Sequence, residues 1–169
     1  MPVIQTSRRT TPNREAYVRS LVKEWQGGAL AQGPIILVDE IGQTKSLHVV
    51  VIWDRWADVP DYERSAIILD AYEKTTNPPG MKVTIAMGLT RSEAMSLGFM
   101  PYRIGTVRQE SDPYSLEQLR RAMAKEGAIQ THDGLELAFP SEKLAKEAYE
   151  RLNSRYPGVW TLYKRESVE

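Results

Sequence analysis

Apolar positions along the chain change period several times, and each change marks an element. Residues 1–12 carry no period and read as a mobile tail. Pro12-Asn13 opens a helical pattern with Ala16, Tyr17, Leu21 and Trp25 on one side, Val18 and Val22 beside them, and Gly27-Gly28 at its end. The run Ile35–Val38, a turn-like segment over 42–46 and the Val- and Ile-rich run Leu47–Trp53 predict a β-hairpin. Asp58 or Asp61 is placed to cap the next helix, with Pro60 in its first turn. Ile67, Ile68, Ala71 and Tyr72 form that helix's core stripe, and Asn77-Pro78-Pro79-Gly80 stops it. Val83–Leu89 is a third strand, and Thr90-Arg91-Ser92-Glu93 is a capping-box pattern for a short helix to Gly98.

The second half repeats much of this. Arg103–Gln109 alternates like a strand. Ser115-Leu116-Glu117-Gln118 opens a helix with Leu116, Leu119 and Met123 inward. Ala128–Thr131 and Leu135–Phe139 flank His132-Asp133-Gly134, a hairpin signal. Ser141 caps a helix bearing Leu144, Ala148 and Leu152; Pro157-Gly158 ends it, and Val159–Tyr163 is the last strand before a frayed tail over 164–169. Ala71-Tyr72-Glu73-Lys74 before Pro79-Gly80 is echoed by Ala148-Tyr149-Glu150-Arg151 before Pro157-Gly158. Duplication and shared helix-stop chemistry both produce such an echo. The expected class is α+β: two consecutive α-β-β-α-β units, the second becoming βαββαβ, a ferredoxin-like sandwich, if Arg103–Gln109 joins it. The expected divisions are a tail over 1–12, a unit over 13–100 and a unit over 101–165.

Composition narrows the function classes. Of 169 residues, 22 are basic and 22 acidic, so a uniformly basic nucleic-acid binder is excluded while a local patch is not. The absence of cysteine removes disulfides, zinc–thiolate sites and a cysteine nucleophile. The runs Pro34–Val38 and Leu47–Trp53 fall far short of the roughly 20 apolar residues of a membrane span. With no apolar core of a signal peptide at the N-terminus, the expectation is a cytoplasmic protein without membrane association.

The segment over 13–98 resembles the BolA family, a class II K-homology relative. The resemblance rests on Ser46-Leu47-His48 before the Val49–Ile52 strand, on Glu63-Arg64-Ser65 in the following helix, and on the strand running into Leu89-Thr90-Arg91-Ser92-Glu93. It implies a topology, with Arg64 alone standing where that family carries an Arg-His-Arg group. The second half resembles ferredoxin-like domains of the RNA-recognition-motif kind, with Asp133–Phe139 in the place of their stacking strand. Phe139 is its only aromatic residue, so the resemblance implies a scaffold.

Candidate chemistry is sparse. His48 begins a buried strand, and His132 lies in a turn beside Asp133; hydrogen bonding and turn polarity account for both. Asp39, Glu40, Asp54, Asp58, Asp61 and Glu63 could hold a divalent metal, although helix capping and dipole complementarity explain acids at a helix start. No phosphate-binding, dinucleotide-binding, nucleophile-elbow or zincin pattern occurs, so neither catalytic residues nor a cofactor are assigned. Trp53-Asp54-Arg55-Trp56 is the most distinctive feature: either both rings are core, or one shields Arg55 or meets a partner. Two rings three residues apart cannot share one face of an extended strand. Residues 1–23 hold Arg8, Arg9, Arg14, Arg19 and Lys23 against Glu15 alone. The first expectation is therefore a non-enzymatic protein-interaction, adaptor or regulatory module. It would meet another protein or a second copy through Trp53, Arg55, Trp56 and Tyr102. A nucleic-acid-associated protein using Arg8, Arg9, Arg14, Arg19 and Lys23 is the alternative, and a small metal-dependent enzyme using the acids of 39–63 is the second.

Overall fold

The computed structural model describes residues 11–27, 33–42, 46–75, 81–107, 113–126, 129–131 and 134–165. The chain divides into two compact units, Met1–Thr90 and Arg91–Glu169. The boundary falls ten residues before the expected one, because the helix opened by Thr90 begins the second unit. Capping signals mark where a helix starts, not which core it serves.

The first unit runs α1 (Arg14–Trp25), β1 (Ile35–Ile41), β2 (Ser46–Ile52), a 3-10 helix (Asp54–Asp58), α2 (Asp61–Glu73) and β3 (Lys82–Leu89). The expected α-β-β-α-β order is observed. β2 is central, antiparallel to β1 and parallel to β3. Val18 and Leu21 of α1 and Ile67, Ile68, Ala71 and Tyr72 of α2 pack with Leu47, Val49 and Val51 on one face of the sheet. The other face carries buried Val50, Ile52 and Leu89 and exposed Ile85 and Ile41, with the polar residues His48, Asp39 and Ser46 between them. Neither Asp58 nor Asp61 caps α2: the N-cap is Pro60, whose carbonyl accepts from the backbone N–H groups of Glu63 (2.9 Å) and Arg64 (3.0 Å). Asp58 instead closes the 3-10 turn. The expected tail reaches too far, since Thr11 donates to Glu63 (3.3 Å) and its carbonyl accepts from the Arg14 N–H. Residues 1–10 lie outside the described residues.

The second unit runs α3 (Arg91–Ser96), β4 (Tyr102–Thr106), α4 (Leu116–Lys125), β5 (Ile129–Thr131), β6 (Gly134–Phe139), α5 (Glu142–Arg155) and β7 (Trp160–Lys164). From β4 onward the order is βαββαβ, and the strands lie in the order β5-β6-β4-β7, all neighbours antiparallel. Ser115 and Gln118 form the expected capping box, and Ser141 accepts from the Leu144 N–H. The inward expectation for Leu116 fails, and Leu144 likewise lies outside the core. Leu116 and Leu144 are exposed; Leu119, Ala122 and Met123 on α4, and Ala145, Ala148 and Leu152 on α5, are the buried stripes. Both leucines sit in a first turn, where the cap rather than the core sets the entry angle. Lys164 belongs to β7, and the Arg165 N–H donates to the Pro101 carbonyl (2.8 Å), so 164–165 continue the sheet. Residues 166–169, and His132 with Asp133, lie outside the described residues. No helix among the described residues is long and apolar enough to cross a membrane.

Candidate functional site

The chain leaves the sheet at Trp53, which is extended and whose N–H donates to the Leu89 carbonyl (2.8 Å). It then turns through a 3-10 helix, where residues three apart eclipse. Trp53 and Trp56 therefore meet on one side, their rings edge to face at 5.5 Å. Of the two readings of this pair, the structure has both rings in the core, because the strand ends at Trp53 and the 3-10 turn brings Trp56 round to the same side. Trp56 is fully buried at 0 % exposure, and its indole N–H donates to the Val51 carbonyl (3.1 Å). Trp53 is buried as well, so neither ring is a surface anchor. Gly88 lies so close that a Cβ there would stand 2.7 Å from Cβ of Arg64 and 3.2 Å from Trp56.

Tyr17, from α1, completes the group. It stacks on Trp56 at 5.6 Å with planes 10° apart and meets Trp53 edge-on at 5.5 Å. Arg55 points outward between the buried tryptophans. Its guanidinium lies 4.8 Å from the Tyr17 centroid and 4.9 Å from that of Trp53, and its carbonyl accepts from the Tyr17 hydroxyl (3.3 Å). Arg55 is exposed, and among the described residues no carboxylate pairs with it. Two rings thus hold a cation whose donors remain available to a second molecule. Sequence reading identified Trp53, Arg55 and Trp56 but missed Tyr17, which no local spacing connects to them.

Other predicted residues are dispersed. Tyr102 is in the second unit, half-buried beside Phe139 and Lys164, whose ammonium lies 5.8 Å from its ring. Arg14 is engaged by Asp70 (2.6 Å) and lies 4.0 Å from Glu63, which leaves Arg19 and Lys23 as the exposed cations of α1. Arg8 and Arg9 lie outside the described residues. Of the acids between 39 and 63, Glu63 is buried and Asp61 faces solvent beside Arg64 (3.4 Å). Among the described residues no group of three or more potential ligands converges as a metal requires. His48 sits opposite Asp39 in the β1–β2 ladder.

The second unit holds a polar group that spans three strands. Arg103 on β4 pairs in register with Ala138 on β6 and Tyr163 on β7, which puts it on the sheet face opposite Ile104 and the helices. It is 3 % exposed; Nη1 lies 3.9 Å from Oε2 of Glu136, and the Tyr163 hydroxyl donates to the other oxygen of Glu136 (2.5 Å). Among the described residues, Nε and Nη1 of Arg103 and Oε2 of Glu136 make no hydrogen bond. Burial pulls the guanidinium below its ordinary pKa, and the Glu136 charge opposes this. Burial, then the bond to Glu136, pushes the Tyr163 phenol up to about 12.

Compared with family models, with curated proteins and with solved structures, the chain gives no match.

Proposed function

We propose that this protein is a non-enzymatic interaction module of the adaptor or regulatory kind, and that Arg55 is the centre of its contact surface. The observation that carries this reading is the exposed guanidinium held on Tyr17 and Trp53 without a carboxylate partner among the described residues. A side chain already held in place loses little freedom on binding, and arginine on aromatic rings is a recurrent binding hot spot. Its free donors suit a carboxylate on a partner protein. The βαββαβ order with strands β5-β6-β4-β7 supports a ferredoxin-like scaffold for the second unit, and the α-β-β-α-β order supports a BolA-like one for the first.

A nucleic-acid role draws less support. Arg14 is engaged by Asp70, and the polar sheet face of the second unit offers Glu136 beside a single ring, Tyr163. The test is quantitative affinity capture with the wild type, Arg55→Lys and Arg55→Ala as baits. Capture lost in Arg55→Ala and partly kept in Arg55→Lys is expected. An identical captured set from all three overturns the assignment, and nuclease-sensitive capture that falls steeply with salt moves the function to nucleic acid.

A further inference from the structure

We infer that β1 is a self-pairing edge: β1 of one copy joins β1 of a second copy, antiparallel, about a two-fold axis at Val38. Every open sheet leaves edge strands with unpaired backbone groups, and stable monomers guard them with charged side chains (lysine above all), proline, bulges, short length or a covering segment. The other described edges carry such guards. β5 has three residues; β7 has five and ends at Lys164; β3 begins at Lys82 and meets β2 through a register shift at Leu47/His48. β1 has seven residues, Ile35–Ile41, with no lysine, no proline and an unbroken register against β2 from Ile35↔Ile52 to Ile41↔Ser46; its only charges are the adjacent acids Asp39 and Glu40. No strand among the described residues pairs with its outer side. Val38 is 50 % exposed there and Ile41 37 % exposed.

The sequence of β1 complements itself. Centred on Val38, antiparallel pairing sets Val38 against Val38, Leu37 against Asp39, Ile36 against Glu40 and Ile35 against Ile41. Both exposed apolar side chains then face apolar partners, and no two acids stand directly opposite. A different register by two residues would bring Asp39 or Glu40 against acids of the other copy or leave Ile41 unpaired, so this register and this occupant fit best. The product is a six-stranded sheet, β3-β2-β1-β1-β2-β3, closed by its symmetry. This surface does not involve Arg55, so the two proposals succeed or fail separately.

The experiment is sedimentation equilibrium of the full chain over a wide concentration range, for the wild type, Val38→Lys, Ile41→Lys and Arg55→Ala, with circular dichroism to verify folding. The wild type and Arg55→Ala should approach twice the 19.2 kDa chain mass. Val38→Lys should stay at the single-chain mass while folded; if it does not fold, Ile41→Lys decides in the same way. A wild type that remains at single-chain mass throughout, or folded lysine variants that still double, overturns the proposal.

Discussion

Each unit of this molecule buries an arginine against its sheet, and the two are held differently. Arg64 in the first unit donates from Nε to the Val59 carbonyl (2.7 Å) and from Nη1 to the Gly88 carbonyl (3.1 Å), with Asp61 at 3.4 Å. Arg103 in the second unit is as deeply buried, yet among the described residues it pairs only with Glu136, 3.9 Å away, and Nε and Nη1 lack acceptors. The difference follows from how the strands connect. In the first unit the crossover through α2 joins adjacent parallel strands, so the helix faces the carbonyls of β3 and its arginine finds them. In the second unit β4 is inserted between β6 and β7, its carbonyls serve two ladders, and its arginine has only side chains to meet. A buried charge with satisfied bonds is architecture, whereas one with open donors rests on a single counter-charge.

The largest expected effect lies on the satisfied side of this comparison. Trp56→Ala removes a fully buried ring that stacks on Tyr17 and donates to Val51, and should destabilise the first unit by about 3–5 kcal/mol in equilibrium denaturation. A loss near zero would show that the ring is not core. Next comes Glu136→Leu, which leaves Arg103 buried without its counter-charge. A cost of about 3–5 kcal/mol is expected, and adding Arg103→Met should recover most of it, because an apolar pair needs no hydrogen bonds. A double variant no more stable than the single one would mean that the pair is bonded better than its geometry indicates.

A smaller effect concerns Tyr163. Its folded pKa of about 12 exceeds the ordinary 10, so the folded state keeps this proton longer than the unfolded chain. The stabilisation is complete below pH 10 and lost as pH rises from 10 to 12. Difference absorbance between the wild type and Tyr163→Phe should place this phenolate near pH 12. A midpoint near 10 would separate Tyr163 from Glu136.

Much of the fold was legible because its signals are local. The Ser115–Gln118 capping box and the stripe Ile67, Ile68, Ala71 and Tyr72 each act within a few residues. The echo between Ala71-Tyr72 and Ala148-Tyr149 also has a structural counterpart, since both alanines are fully buried in the crossover helices α2 and α5. What escaped depends on long-range register. Tyr17 reaches Arg55 only through packing of α1, and Arg103, Glu136 and Tyr163 converge only because β4 lies between β6 and β7. The end of the strand at Trp53 was legible, but the 3-10 turn that brings Trp56 back beside it was not, so whether one ring meets a partner stayed open.

The smallest stability effect belongs to Arg55, and it bears most directly on the account. Unfolding free energy and partner retention should be measured on the same preparations of wild type and Arg55→Ala. An exposed cation over two rings contributes about 0.5–1 kcal/mol, so stability should drop by no more than that while retention is lost. Retention unchanged, or a loss of several kcal/mol in stability, would instead make Arg55 part of the scaffold and contradict its role as the contact.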